Sequence, residues 1–348
     1  MTLLTRGADT STFREFPKRR NVIDTSKRSS GHPAVTRIPG GSTGGTAIAI
    51  ATGMAPGGLG TDTRASIRVP AALSGVVGFK PTFGLVPTHG VVTLSWSMDH
   101  VAPMGASVED VALLLDVIAG KDARDPNSVD RPGASYVRYV GDDVSGLRIG
   151  VPEAGLEGAD REVSRSFWRA LEGLKSAGCV VRSISEPLAD DLEMTNAAGL
   201  IVSRAEATTF HQPWLGERAD RYTTETREQL DEASHLSAVT YLMAQRLREE
   251  FRRRMLDLFS RIDVVAMPTS LVLAPPVEEA DRYLLVLSRN CIPWSFIGFP
   301  AISVPCGRSS AGLPIGVQLI AAPFFDGRLI ELGSAVEALG LFAETSFR

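Results

Sequence analysis

A strand–helix–strand pattern between residues 147 and 184 constrains the fold more than any other feature of the chain. It opens with LRIGVP, an apolar run typical of a buried strand. An amphipathic segment follows from Arg161 to Ala177, ends before Gly178, and leads into a second strand at CVVRSI. Strands joined by a crossover helix pair in parallel, and the crossover is expected to be right-handed. The segment therefore predicts an α/β fold.

Further elements are predicted from the same alternation of helical and strand periodicity. They are a long helix from Met243 to Ile262, strands at DVVAMP, AISVPCG and PIGVQLIAA, and a last helix from Arg328 to Leu339. No internal repeat or flexible linker is visible. We therefore predict a single domain, residues 1–348, built on a mixed, mainly parallel twisted sheet flanked by helices.

Two shorter helices are predicted nearer the start of the chain. Residues 46–54, TAIAIATGM, follow paired glycines and are rich in alanine and isoleucine, which favours a buried helix over a strand. In residues 107–119, Ser107 can cap the helix, Asp110 stands where a capping acid helps, and Gly120 can end it. The apolar stripe of that helix comprises Val108, Val111, Leu115 and Ile118.

Composition limits the classes of function. The 348 residues are 44% hydrophobic and 22% charged, so the chain can bury a large core. A net charge of −4 gives no electrostatic reason to bind nucleic acid or an anionic membrane directly. Direct binding to nucleic acid or to a membrane is therefore not expected.

The cysteines and the apolar segments bear on the cellular compartment. Cys179, Cys291 and Cys306 are odd in number, lack CxxC spacing and lie beside apolar residues, so we expect buried free thiols in a reducing compartment. No apolar run is long enough for a signal peptide or a membrane span. We therefore predict a cytoplasmic protein.

Two glycine- and serine-containing segments carry the candidate chemistry. The first is GGSTGGT at 40–46. Glycines before a helix could cradle a phosphate, although the segment lacks the Lys-Ser/Thr ending of a P-loop and the pattern G-x-G-x-x-G. A purely structural glycine turn is the other reading that the residues leave open.

The second segment is GTDTRASIRVP at 60–70. Ser66 stands in a loop that runs directly into a predicted helix, where backbone N–H groups can form an oxyanion hole. Alone, this serine could simply cap the helix. The two segments together, in this order, favour a catalytic pair.

The combined pattern resembles the amidase signature family. The resemblance rests on RIPGGSTGGTAIAIATG, on GLGTDTRASIRVPAALSGVVGFKPTFGLVPTHGVV and on FIGFPAISVPCGRSSAGLPIGVQLIAAPF, and it covers most of the chain from about Arg37 onward. It implies the amidase signature fold and a Ser–cis-Ser–Lys triad. Residues 185–285 match only loosely, and we expect them to determine the substrate.

The resemblance assigns a role to each matching residue. Ser66 would attack an amide carbonyl and become acylated, and Ser42, joined to Gly41 by a cis peptide bond, would relay protons between Ser66 and a neutral lysine. The backbone N–H groups of Thr63, Arg64, Ala65 and Ser66 would form the oxyanion hole. The residues expected to support this arrangement are Thr43, Asp62 and Arg68.

The chain departs from the family pattern at two places. Arg64 and Ala65 replace the usual Gly-Gly before the nucleophile, and Arg64 could point into the pocket and select an anionic or carbonyl-rich substrate. No PIAVKD-like segment with the family lysine precedes Ser42. We interpret residues 1–36 as an atypical, truncated N-terminal segment.

Other candidates for the base are less suitable. Lys18 and Lys27 have polar or charged neighbours and are interpreted as surface residues, while Lys80 belongs to the GFKPT turn. Asp99 and His100 are adjacent, and adjacent residues rarely orient as a Ser–His–Asp triad requires. The identity of the base is left open.

These observations favour hydrolysis of a small carboxamide through an acyl-enzyme on Ser66. One alternative is the amidase subunit of a tRNA-dependent amidotransferase, and another is a catalytically impaired fragment or pseudoenzyme of the family. No cofactor motif and no metal-ligand spacing is visible, so neither a cofactor nor a metal is expected. A homodimer is left open.

Overall fold

A single sheet organises the part of the chain that the computed structural model describes, residues 36–131 and 135–342. Its strands are β1 (Gly57–Thr61), β2 (Val77–Lys80), β3 (Val101–Gly105), β4 (Arg148–Pro152), β5 (Val180–Ile184), β6 (Val264–Pro268), β7 (Ala301–Arg308) and β8 (Pro314–Ile320). They lie in the order β1-β3-β2-β7-β8-β6-β4-β5.

Helices cover both faces of the sheet. They are α1 (Gly44–Ala51), α2 (Arg68–Ser74), α3 (Val108–Ile118), α4 (Arg161–Ser176), α5 (Ala189–Arg218), α6 (Thr224–Ser234), α7 (Ala238–Arg261), α8 (Ala280–Ser288), α9 (Ile292–Phe296) and α10 (Asp326–Ala338). Within the described residues, none of these helices is both long and apolar enough to cross a membrane.

Strand β6 shows how the core divides between the two faces. Val264 and Ala266 pack into a cluster with α3, α4 and α10, whereas Val265 and Met267 pack with α5, α7 and α9 on the opposite face. Side chains alternate along a strand, so a strand buried on both faces must be apolar at every position. The continuous run VVAMP meets that requirement, and all five residues are buried.

The strand–helix–strand prediction is confirmed. Strands β4 and β5 pair in parallel, with α4 between them in the chain. The predicted cap of α3 is also present, since the Ser107 side chain accepts from the Asp110 N–H and the Asp110 carboxylate accepts from the Ser107 N–H. The predicted helix at 46–54 is observed as α1, and the expectation of buried free thiols is confirmed for all three cysteines.

The sheet is mixed, as predicted, but the expectation that it is mainly parallel was wrong. Only β4 pairs in parallel, with β5 and β6, and the other five neighbouring pairs are antiparallel. The prediction extended the one visible crossover unit to the whole sheet. Strands β7 and β8 are instead joined by a short turn, which requires antiparallel pairing.

Helix α2 lies directly on the sheet and thereby fixes the position of Ser66. A Cβ atom at Gly78 of β2 would lie 2.8 Å from the Ala71 Cβ and 2.9 Å from the Ile67 Cγ2, so only glycine permits this close contact. The loop from Asp62 to Ile67 connects β1 to α2. It is therefore held between an edge strand and a helix that cannot move away without opening the core.

Candidate active site

The structure brings the two predicted segments together. The Thr43 N–H donates to the Ser66 carbonyl at 3.2 Å, and the Thr43 hydroxyl donates to the Thr61 carbonyl at 3.3 Å. A Cβ atom at Gly60 would lie 2.2 Å from the Thr43 Cγ2, so glycine is required there for the segments to meet. Thr43, the residue after Ser42, thus connects the first segment to the nucleophile loop.

The two serines are both half-buried. The Gly41–Ser42 peptide bond is cis, as the family resemblance implied. Neither serine hydroxyl makes a hydrogen bond to any residue in the described ranges. The roles of Ser66 as nucleophile and Ser42 as relay therefore remain predictions.

Four consecutive backbone donors in the nucleophile loop have no partner within residues 36–131 and 135–342. They are the N–H groups of Thr63, Arg64, Ala65 and Ser66. The N–H groups on either side are both satisfied, because Asp62 donates to the His100 carbonyl at 2.9 Å and Ile67 donates to the Asp62 Oδ2 at 3.3 Å. Backbone N–H groups left unpaired in an ordered loop are suited to binding a negatively charged oxygen.

The ends of this loop are clamped by Asp62 and Arg68, which are completely buried. The Arg68 Nε and Nη2 donate to the two Asp62 oxygens, each at 3.0 Å. Arg68 also donates to the Arg64 carbonyl at 3.1 Å and to the Gln318 Oε1 at 2.6 Å. Burial alone would raise the pKa of Asp62, but the Arg68 guanidinium outweighs it and lowers that pKa to about 2.

Two residues that complete the clamp were not identified from the sequence. The Ser295 hydroxyl lies between the Arg68 guanidinium and Asp62, and Gln318 stands in the middle of β8. Both are fully buried. The signal that could have found them was a lone polar residue in an apolar run, IPWSF and PIGVQLI respectively, since buried polar groups need a specific partner.

The side chain of Thr63 is held by a second buried carboxylate. Its hydroxyl donates to the Asp99 Oδ1 at 2.6 Å, and the other Asp99 oxygen accepts from the Leu94 and Ser95 N–H groups at 2.9 and 3.0 Å. Burial raises the pKa of Asp99 to about 6 in spite of these bonds. Asp99 therefore supports the first of the four free donors.

Lys80 is buried, but the structure does not bring it to the serines. Its Nζ donates to the Phe299 carbonyl and to the His100 Nε2, the latter at 3.3 Å, and it makes no hydrogen bond to Ser42. Burial lowers the pKa of Lys80 well below its usual range, and the nearby Arg68 adds to this effect. The structural interpretation of the GFKPT turn is supported by these contacts.

The His100 ring makes its hydrogen bonds to groups other than Asp99. Its Nδ1 donates to the Met98 and Asp62 carbonyls at 2.7 and 3.0 Å. Both Asp99 oxygens and the His100 Nδ1 therefore have other partners, which agrees with the expectation that these two residues do not form a Ser–His–Asp triad with Ser66. Lys18 and Lys27, the other lysines considered as bases, lie outside the described residues, as does almost all of the segment 1–36.

A loop serine followed by a helix and preceded by free backbone donors defines a site suited to acyl transfer. The comparison with known proteins makes the class specific. A sequence model described as Amidase matches residues 32–330, and the chain belongs to this family of amide-hydrolysing enzymes.

Individual relatives agree with this assignment. The A subunit of glutamyl-tRNA(Gln) amidotransferase from Chloroflexus aurantiacus is 37% identical over 328 residues, which are 87% of this chain and 67% of the relative. The crystal structure of the same kind of subunit from Thermotoga maritima is 32% identical with a TM-score of 0.77, over 91% of this chain and 72% of that one.

A third similar structure was described as a vestigial protein complex that reveals the origins of an s-triazine catabolic enzyme. It is 30% identical with a TM-score of 0.80, over 88% of this chain and 70% of that one. This chain therefore spans about two thirds of the length of its relatives.

Proposed function

We propose that this chain hydrolyses a small carboxamide through an acyl-enzyme on Ser66. The observation that carries the proposal is the run of four N–H groups, residues 63–66, which have no partner in the described part of the chain and end at the serine itself. In other hydrolases one such donor contributes about 3 to 4 kcal/mol to transition-state stabilisation. The Asp62–Arg68 clamp holds these donors in place before substrate binds.

The chemical steps follow from this arrangement. The Ser66 Oγ forms a bond to the amide carbonyl carbon while its proton passes to the Ser42 hydroxyl, and Ser42 gives its own proton to a base. Collapse of the tetrahedral intermediate breaks the C–N bond, and the leaving nitrogen takes up the proton. Water then attacks the Ser66 ester, which releases the acid and restores the serine.

The base sets the rate, because a serine hydroxyl is too weak an acid to ionise near neutral pH. Lys80, Lys121 and Lys175 are the lysines in the described ranges, and none of them is hydrogen-bonded to Ser42. This observation favours the alternative of a catalytically impaired member of the family. We therefore expect weak turnover of simple amides, above the rate in water.

Labelling with a fluorophosphonate tests whether Ser66 is the nucleophile. We expect an adduct on Ser66 by peptide mass spectrometry, no adduct in Ser66→Ala, and labelling like that of the wild type in Ser164→Ala. Ser164 is a matched control because it is half-buried on α4, outside the site. An adduct at another residue with Ser66 unmodified would contradict the assignment.

The amidase subunit of a tRNA-dependent amidotransferase is the second candidate. It is favoured by the names of the relatives, which are the A subunits of glutamyl-tRNA(Gln) amidotransferases, and it would require partner subunits. Ammonia release from L-glutamine should then rise at least tenfold when the other subunits of a relative's enzyme are added. An unchanged rate, with no complex on gel filtration, would favour the free hydrolase.

We also propose a cytoplasmic location for the protein and name the partners that it would have there. Three buried free thiols support a reducing compartment such as the cytoplasm. The partners we propose are a small amide and, under the second candidate, protein subunits.

A further inference from the structure

Arg64 stands in the nucleophile loop, two positions before Ser66, and its backbone is fixed. Its carbonyl accepts from the Arg68 Nη2 at 3.1 Å and from the Ser295 hydroxyl at 3.3 Å. Its guanidinium, by contrast, makes no hydrogen bond and no ion pair with any residue of the described ranges. The residue is only half-exposed, so this charge has lost part of its hydration without gaining a protein partner.

The charges around Arg64 do not compensate for this loss. Burial and, to a smaller extent, the positive charge of Arg204 lower the pKa of Arg64 to about 10. Arg64 remains a cation at neutral pH. Arg204 belongs to α5. It forms an ion pair, at 3.4 Å, with the Glu232 carboxylate, which is exposed to solvent.

The second arginine of the same loop shows what a structural arginine looks like here. Arg68 directs its guanidinium to a carboxylate, two carbonyls, a glutamine oxygen and a serine hydroxyl. Its positive charge is balanced by Asp62 at 3.0 Å. Among the residues that the structure describes, Arg64 has no such set of acceptors, so its guanidinium fork can bind a planar anion from outside.

We infer that Arg64 is an anion-binding residue beside the nucleophile and that it binds a carboxylate carried by the amide substrate. This inference rests on the proposed function for the identity of the substrate. Two trans peptide bonds keep the Cα atoms of Arg64 and Ser66 within about 7.6 Å of each other, so one small molecule can reach both residues. Arg204 adds positive charge from the region 185–285, which was predicted to determine the substrate.

Binding measurements test this inference without turnover. Glutarate is the product expected from hydrolysis of a five-carbon dicarboxylic acid monoamide. Glutaramide, the diamide, has the same length but no charge. By calorimetry we expect the wild type to bind glutarate at least about tenfold more tightly than glutaramide. Arg64→Gln should remove that preference, and Arg64→Lys should retain part of it, because lysine keeps the charge without the planar fork.

Two controls make the result specific. Arg165→Gln removes an exposed arginine on α4 and should leave the glutarate affinity unchanged. Arg204→Gln should weaken glutarate binding by about twofold, since its charge acts at longer range and is partly screened. Equal affinity of the wild type for glutarate and glutaramide, or an unchanged preference in Arg64→Gln, would overturn the inference.

The outcome can be separated from that of the proposed function. Fluorophosphonate labelling reports on Ser66, whereas calorimetry reports only on the anion subsite. Glutarate binding through Arg64 without labelling of Ser66 would support the subsite and contradict the hydrolase. Labelling of Ser66 without a preference for glutarate would support the hydrolase and contradict the subsite.

Discussion

The loop between Asp62 and Arg68 has two sides that differ in how their polar groups are satisfied. On the buried side, Asp62 and Arg68 use their charged atoms on each other and on neighbouring acceptors. On the open side, the backbone donors of residues 63–66 and the Arg64 guanidinium make no bond to the described protein. Unpaired polar groups are unfavourable for folding, so an ordered loop that keeps several of them points to a ligand.

Breaking the buried side should have the largest effect. Arg68→Met leaves the Asp62 carboxylate buried without a counter-ion, and we expect a loss of about 3–5 kcal/mol in the free energy of unfolding. The double variant Asp62→Leu/Arg68→Met removes both charges and should recover much of the loss. Chemical denaturation of both variants measures this, and a single variant as stable as the wild type would contradict the account of the clamp.

The next effect depends on pH and concerns Asp99, whose pKa is raised to about 6 in the folded protein from an ordinary value of 3.8. An acid with a raised folded pKa stabilises the protein fully below its unfolded pKa, and this stabilisation is lost as the pH rises through 6. We expect it to amount to roughly 2 kcal/mol between pH 4 and pH 7.

Asp62 has the opposite sign, because its pKa is lowered to about 2 and its stabilisation is lost only as the pH falls from about 4 towards 2. Other buried groups with shifted pKa values, His100 and Asp326 among them, also contribute to stability between pH 4 and pH 7, so the contribution of Asp99 is the difference between the wild type and Asp99→Asn. The Asp99→Asn variant should lack the Asp99 contribution of roughly 2 kcal/mol in that interval. An identical pH dependence in the wild type and in Asp99→Asn would show that Asp99 is not perturbed by burial.

The smallest effect sharpens the comparison between the two arginines. Since the Arg64 guanidinium has no partner in the described part of the protein, Arg64→Gln should leave stability unchanged or raise it by about 0.5–1 kcal/mol, unlike Arg68→Met. Melting temperatures of the two variants, measured without ligand, provide the test. A loss of several kcal/mol in Arg64→Gln would reveal a structural role for that side chain.

Some of the fold could be predicted from sequence because local signals agree with the tertiary structure. The reciprocal cap of Ser107 and Asp110 and the crossover unit β4-α4-β5 are examples. Strand β1, GGLGT, has little strand propensity and depends on its pairing with β3, so no local pattern identifies it.

Helix α5 escaped prediction for a related reason. Its buried face includes polar residues such as Thr195, Ser203 and Glu206, so no clear apolar stripe marks the helix. Glu206 accepts from the hydroxyls of Ser95, Ser97 and Tyr241, which explains its burial but requires knowledge of the tertiary structure.

For the site, the family resemblance was sufficient to predict that the segments of Ser42 and Ser66 meet, as the contact made by Thr43 shows. The acceptors around Arg68 could not be predicted, because Cys291, Ser295 and Gln318 are more than 200 positions away in the chain. Helix α2, which packs on β8, carries Arg68 to these groups in the folded protein.

The central claim is that the open side of the loop serves acyl transfer to Ser66. The most direct test is to mix the protein with an activated anilide, quench within the first turnovers, and search the peptides for the acyl mass by mass spectrometry. We predict an acyl group on the peptide that contains Ser66, and none in Ser66→Ala. Turnover of the anilide with no acyl group on Ser66, or with the group on another residue, would contradict the account.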